Sequence, residues 1–227
     1  FPPIEEAEDD GLLAVGGDLT KERLLGAYRR GIFPWYEVGQ PILWWSPDPR
    51  LVLFPDELKI SRSLRKVLRK EQFEIRFDTA FQEVIKSCAD IRTKQGEGTW
   101  IIPEMQQAYT ELHQEGFAHS VESWLDGKLV GGLYGISMGQ CFFGESMFST
   151  MNDSSKVALV ALADFSQRVG IKLIDCQMTT PHLLSLGARE IKREVFLKML
   201  KKHLETPSFK GLWNNSPVSM KVNLLQN

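Results

Sequence analysis

Polar side chains stand where apolar ones would be usual in two stretches of this sequence. In Lys172-Leu173-Ile174-Asp175-Cys176-Gln177-Met178, Asp175 and Gln177 lie two residues apart in an otherwise apolar run. On an extended strand side chains alternate between faces, so the two share a face about 7 Å apart. A carboxylate in such a strand must be paired or used. The plainer reading is a structural Asp that caps a neighbouring backbone. Glu145 likewise interrupts Cys141-Phe142-Phe143-Gly144-Glu145-Ser146-Met147-Phe148. Burial without a partner would raise its pKa or destabilise the fold, whereas at a polar strand end it would carry no chemistry. No nucleophilic triad accompanies these groups. Cys176 points away from Asp175 on a regular strand, and His113, His119, His182 and His203 show no metal-binding spacing.

A third feature is charge. Lys59-Ile60-Ser61-Arg62-Ser63-Leu64-Arg65-Lys66-Val67-Leu68-Arg69-Lys70 carries six cations and no anion. As a helix it places Ile60, Leu64, Val67 and Leu68 on one face and Arg62, Arg65, Lys66 and Arg69 on the other. That pattern fits either a solvated face or a local phosphate-binding surface. The net charge of -2 excludes a chain coated in positive charge, so any nucleic-acid surface must be local. Gly16-Gly17 and Gly131-Gly132 match neither phosphate-loop pattern, which argues against nucleotide-driven activation. Cys88, Cys141 and Cys176 are odd in number and far apart, so reduced thiols are expected rather than disulfides or a thiolate metal site. No apolar run approaches the roughly 18 to 20 residues of a membrane span. A cytoplasmic protein without bound metal or cofactor is the expectation.

The elements that must position these groups follow from turn residues and periodicity. Gly16-Gly17-Asp18-Leu19-Thr20 leads into a short helix marked by Leu24, Leu25 and Tyr28 and closed by Gly31. The segment holding Trp35, Trp44 and Trp45 is broken by prolines, and no regular element fits it. Prolines 47, 49 and 55 mark a border near Arg50, between a small N-terminal domain (1–50) and a larger one (51–227). From His119 the pattern becomes an antiparallel meander: a run to Leu125, the turn Asp126-Gly127, a run from Leu129 to Met138, the turn Gly139-Gln140, and a run from Cys141 to Phe148. A helix from Ser154, capped by Asp153 or Ser154, ends by Gly170. A buried strand from Ile171 to Met178, a short helix from Pro181 to Leu186 and a last helix around Glu194 to His203 complete an α+β order.

Several segments resemble those of the bacterial leucyl/phenylalanyl-tRNA-protein transferases. They are Gly11-Leu12-Leu13-Ala14-Val15-Gly16-Gly17-Asp18-Leu19, Arg29-Arg30-Gly31-Ile32-Phe33-Pro34-Trp35, Leu43-Trp44-Trp45-Ser46-Pro47-Asp48-Pro49-Arg50, Gly98-Thr99-Trp100-Ile101, Phe143-Gly144-Glu145-Ser146-Met147-Phe148 and Leu173-Ile174-Asp175-Cys176-Gln177. The resemblance spans nearly the whole chain. It implies a small N-terminal domain plus a C-terminal domain of the GNAT acyltransferase type. The activity implied is transfer of Leu or Phe, and also Met, from aminoacyl-tRNA to acceptor proteins with N-terminal Arg or Lys, marking them for N-end-rule degradation. Coenzyme A enzymes of that fold cradle a pyrophosphate on a glycine-rich turn. Ser149-Thr150-Met151-Asn152-Asp153-Ser154-Ser155 offers no glycine there. A coenzyme A-dependent N-acyltransferase and a noncatalytic RNA-binding module are the rival readings.

By the same resemblance, Asp175 and Gln177 are implied in catalysis: Asp175, as a base or an electrostatic anchor, would orient Gln177 and stabilise the ammonium that develops during attack, Gln177 would contact the acceptor amine, and Glu145 would supply an anion for the acceptor. Trp35 and Trp100, with Tyr28 and Tyr109 nearby, are implied around the terminal adenosine, where a stacked base is worth about 1 to 3 kcal/mol. Leu133, Phe142 and Leu162 are nominated for the donor side-chain pocket. Simple alternation puts Phe142 and Glu145 on opposite faces, so a bulge at Gly144 is required or one assignment is wrong. With a tRNA donor, Arg62, Arg65, Lys66, Arg69 and Lys70 become the expected phosphate contacts.

Overall fold

Two tight turns set the central meander. Asp126 and Gly127 both take positive φ, 50° and 72°, the conformation that lets a two-residue turn follow strand twist. They join β6 (Ala118–Leu125) to β7 (Lys128–Met138), with Leu125 opposite Lys128. Gly139, at φ 56°, starts the next turn, and β8 (Cys141–Ser149) returns with Cys141 opposite Met138. The computed structural model describes residues 1–94, 99–208 and 211–215.

Around the meander, four shorter strands complete a seven-stranded sheet: β4 (Arg50–Leu53), β5 (Glu74–Phe77), β9 (Leu173–Gln177) and β10 (Arg189–Ile191), in the order β10-β4-β9-β8-β7-β6-β5. Every pair is antiparallel except β8 with β9. A parallel pair needs a crossover, and α5 (Ser154–Val169) supplies it. Alternation then divides the core. Ile136 and Phe143 face a cluster that includes α3 (Phe81–Lys94) and α4 (Pro103–Gln114), whereas Leu133 and Phe142 face the cluster of α5. Strands β4 and β5 and helices α3 and α4 come from stretches in which the sequence patterns named no element. Pro103 opens α4 at the first helical position, where its missing N–H costs nothing. Gly98 of the resemblance lies outside the described residues.

The N-terminal region corrects one expectation. The proline-broken tryptophan segment holds regular structure: β3 (Leu43–Trp45) pairs with both β2 (Phe33–Pro34) and β1 (Leu12–Val15), in the order β1-β3-β2. Strands this short show no alternation, and Pro34 is tolerated because β2 is an edge strand. Between them α1 (Lys21–Tyr28) buries Leu24, Leu25, Ala27 and Tyr28 in the same cluster as Tyr109 and Phe143.

Helix α2 (Arg62–Arg69) forms inside the basic stretch, with Ser61 Oγ accepting from Leu64 N at 3.1 Å as its cap. Leu64 and Leu68 are buried against the α5 cluster; Arg62, Lys66, Arg69 and Lys70 are exposed, and Arg65 half-exposed. At the start of α5 the side chain of Asp153 makes no cap bond; it pairs with Lys156 at 2.6 Å. Ser154 Oγ instead donates to the carbonyl oxygens of Val130 and Met151, both at 2.8 Å. Helices α6 (Pro181–Ser185) and α7 (Arg193–Leu204) fall near the expected bounds.

Candidate active site

Parallel pairing between β8 and β9 runs from Cys141 opposite Leu173 only as far as Phe143 opposite Asp175. Beyond that point Glu145 and Gln177 reach across the gap. Glu145 sits on a bulge: β7 and β8 pair Gly135 with Gly144 and next Tyr134 with Ser146, leaving Glu145 as the extra residue. The bulge shifts the alternation by one, so Phe142 and Glu145 line the same cavity. The conflict in the alternation argument is thereby resolved by a bulge one residue beyond Gly144.

The cavity holds about 470 Å³, enough for one amino-acid side chain and more. Leu133, Phe142 and Leu162 line it with Ile174, and the polar groups among its walls include Glu145 and Gln177. Trp35 and Trp100 also line it; Trp35 is 41% exposed and packs edge-on to Trp45 at 5.8 Å between ring centroids. Tyr28 and Tyr109 do not line it. Both are fully buried and donate their hydroxyls to Glu145, Tyr28 to Oε1 at 2.7 Å and Tyr109 to Oε2 at 2.9 Å, while also touching each other. Neither presents a ring face to a base, so the part expected of them beside adenosine does not fit their burial. Their place is behind the carboxylate.

Gln177 Nε2 is the third donor to Glu145, at 2.9 Å to Oε1. Burial raises the Glu145 pKa to about 7, opposed by the hydrogen bonds from Tyr28, Tyr109 and Gln177. Burial also pushes both phenols well up, followed by the neighbouring Glu145 charge, so they act as neutral donors. The Cys176 thiol, raised by burial and by Asp175, is no thiolate nucleophile.

Asp175 is wholly buried and takes no part in the cavity wall. Its two oxygens accept from Arg50, Nε at 2.8 Å and Nη2 at 2.7 Å, and Oδ1 also accepts from the backbone N–H of Gln177 at 2.9 Å. Asp175 therefore contacts Gln177 through the backbone, not the side-chain amide. Arg50, itself buried between the rings of Phe33 and Phe196 at 4.8 and 4.7 Å, carried no assigned role from sequence. The signal was present: a carboxylate in an apolar strand needs a cation, and Arg50 is a cation in another apolar run. The basic residues Arg62, Arg65, Lys66, Arg69 and Lys70 lie apart from the cavity wall, on and just after a helix that packs against α5. Among the described residues no cluster could hold a metal ion, and no helix is long and apolar enough to cross a membrane.

Comparison with known proteins decides the family. The profile described as leucyl/phenylalanyl-tRNA protein transferase matches residues 52–201, and that of its N-terminal domain matches residues 17–48. The chain belongs to the leucyl/phenylalanyl-tRNA protein transferase family. A leucyl/phenylalanyl-tRNA-protein transferase from Aromatoleum aromaticum is 62% identical over 216 residues, covering 94% of this chain and 91% of its own. One of the same name from Syntrophobacter fumaroxidans is 62% identical over 204 residues, 90% of this chain and 87% of its own. Among solved structures, an aminoglycoside acetyltransferase from a soil metagenomic sample matches 51% of this transferase-family chain and 84% of its own, at 14% identity and a TM-score of 0.41. L-PGS from Bacillus licheniformis matches 71% of this chain and 52% of its own, at 10% identity and a TM-score of 0.41.

Proposed function

We propose that this enzyme joins Leu, Phe or Met, carried on tRNA, to the N-terminal Arg or Lys of acceptor proteins, marking them for N-end-rule degradation in the cytoplasm. The carrying observation is the cavity that places an apolar pocket beside the Glu145–Gln177 pair. The larger domain, from about Arg50 onward, is read as a GNAT-type unit and the preceding residues as its small companion.

An aminoacyl ester is already activated, so positioning and proton transfer are what the protein must add. The α-amine of the acceptor, with an unperturbed pKa of about 7.7 to 8.0, is largely protonated at neutral pH. Glu145, raised to about 7, is matched to accept that proton. Facing a carboxylate, Gln177 must turn its NH₂ toward Glu145, which leaves its carbonyl oxygen to accept from the amine. Asp175, locked to Arg50, acts as the anchor for Gln177 and not as a base. Freed of its proton, the amine attacks the ester carbonyl; the amide bond forms, the ester C–O bond breaks, and the ribose oxygen leaves with a proton. Leu133, Phe142 and Leu162 hold the donor side chain, and Trp35 and Trp100 stack on the terminal adenosine. Arg62, Arg65, Lys66, Arg69 and Lys70 receive tRNA phosphates.

Against the coenzyme A reading, the approach to α5 has no glycine between Ser149 and Ser155, and Ser154 is packed into it. Against a noncatalytic module stands the hydrogen-bonded carboxylate in the cavity. The test uses leucyl-tRNA with peptides that begin with Arg, Lys, Ala or acetylated Arg. Leucine should join the first two alone. Equal transfer to the Ala peptide would overturn the acceptor assignment.

A further inference from the structure

Trp213 is remote in sequence from every group assigned above, yet it is fully buried. Its indole stacks on His119 with centroids 4.1 Å apart and planes at 3°, and meets Phe165 at 4.7 Å and Phe142 at 5.7 Å. Asp78 pins this arrangement. Its Oδ2 accepts from Trp213 N at 2.7 Å and lies 2.8 Å from His119 Nδ1, and its backbone oxygen accepts from Asn214 Nδ2 at 3.2 Å. A single carboxylate thus fixes both the indole's backbone and the ring stacked on it.

Phe142 is the member of this cluster that reaches the cavity; Trp213 does not line it. The Phe142 ring occupies space left by Gly135, where an added Cβ would come within 2.6 Å of its Cζ. Behind the ring stand the backbone of β7 and the indole of Trp213. Backbone in mid-sheet does not move to admit a larger ligand, so the indole is the support that can be altered. Protein interiors are close-packed, and truncating one side chain lets its neighbours collapse in part into the space.

We propose that Trp213 is a positioning residue for donor choice: by backing Phe142 it sets the depth of the cavity, and so the size of apolar side chain the enzyme transfers best. This rests on the cavity being the donor side-chain pocket. A shortened residue 213 lets Phe142 retreat and favours bulkier donors over Leu, and a change of one methylene's worth of space is enough to move discrimination about tenfold or more.

The experiment measures kcat/KM for Leu, Phe and Trp on one tRNA body with the wild-type chain, Trp213→Phe, Trp213→Leu, Phe142→Ala, and Trp213→Leu combined with Phe142→Ala. Trp213→Leu should raise the Phe-to-Leu ratio about tenfold and Trp213→Phe about two- to threefold, with KM for the acceptor peptide unchanged. The double variant should match Phe142→Ala, because both act through one wall. If Trp213→Leu fails to fold, Trp213→Phe decides on the same ratio. Equal losses for all donors, or an unchanged ratio while Phe142→Ala shifts it, would overturn the proposal and leave the pocket reading intact. An unchanged ranking in Phe142→Ala as well would place the donor side chain elsewhere, and the role of Trp213 would go with it.

Discussion

Gln177 and Glu145 are joined by a 2.9 Å hydrogen bond, from the Gln177 amide to the Glu145 carboxylate, just beyond the point where β8 and β9 stop pairing. The bond orients the amide, and the Asp175 carboxylate orients the backbone beneath it. Gln177 has φ 62°, a left-handed conformation unusual for a side chain of this size. Its N–H is held by Asp175 in that conformation. Gln177 is thus held from two sides, at its side-chain amide and at its backbone N–H.

From the raised pKa of Glu145, activity and stability should move in opposite directions with pH. Transfer should rise through about pH 7 as the carboxylate ionises, and Glu145→Gln should lower it about a hundredfold or more while retaining only the rise from the acceptor amine. Because the folded pKa lies above the unfolded one, the stabilisation from a neutral Glu145 is complete below about 4.5 and is lost as pH rises to about 7. Wild-type stability relative to Glu145→Gln should fall by roughly 3 kcal/mol across that window. Urea unfolding of both at pH 4.5 and pH 7.5 checks this, and a constant difference would show that Glu145 is not perturbed.

The Arg50–Asp175 pair separates folding from function. Asp175→Ala leaves Arg50 buried and unpaired, which should cost about 3 to 5 kcal/mol and lower transfer at least about a hundredfold with little change in tRNA affinity. Arg50→Met combined with Asp175→Leu should regain most of the stability but little of the activity, since nothing then holds the Gln177 N–H. Denaturation midpoints and single-turnover rates on the same samples distinguish the outcomes; full activity in the double variant would mean the pair is only structural.

Replacing Arg62, Lys66 and Arg69 with Ala should weaken tRNA binding whatever amino acid is attached. The slope of log K against log salt should flatten by about 0.7 to 0.9 for each phosphate no longer neutralised. Transfer from a minimal aminoacyl-adenosine donor should persist. Equal loss with both donors would assign the helix to the fold alone.

Donor choice should follow branching. Ile and Val carry two heavy atoms on Cβ, whereas Leu, Phe and Met widen further out, and the expected outcome is transfer of the latter three with Ile and Val rejected. Rates for the five on identical tRNA bodies test this, and transfer of Ile as fast as Leu would contradict it.

Much of the α+β order was legible because its signals are local. The meander's Asp126-Gly127 and Gly139-Gln140 turns, the apolar period of α5 and the amphipathic stretch of α2 each announce themselves within a few residues. Strands β2 and β3 did not, because two or three residues give no alternation to read. Among the residues singled out, Glu145 and Gln177 meet at one cavity, but how they are wired was not legible. Arg50 and Asp175 are 125 positions apart, and only the antiparallel pairing of β4 with β9 brings them together. The bulge at Glu145 depends on its register against β7. Tyr28 and Tyr109 were identified, but their burial, which turns them from ring surfaces into hydrogen-bond donors, follows from how α1 and α4 pack.

The most direct measurement is the mass of a peptide beginning with Arg after incubation with the enzyme and either leucyl-tRNA or acetyl-coenzyme A. A gain of one leucine residue with the tRNA donor, abolished by acetylating the peptide's N-terminus and absent with Glu145→Gln over the same interval, is the predicted result. No leucine on the peptide, or an acetyl group gained from coenzyme A instead, would contradict the account.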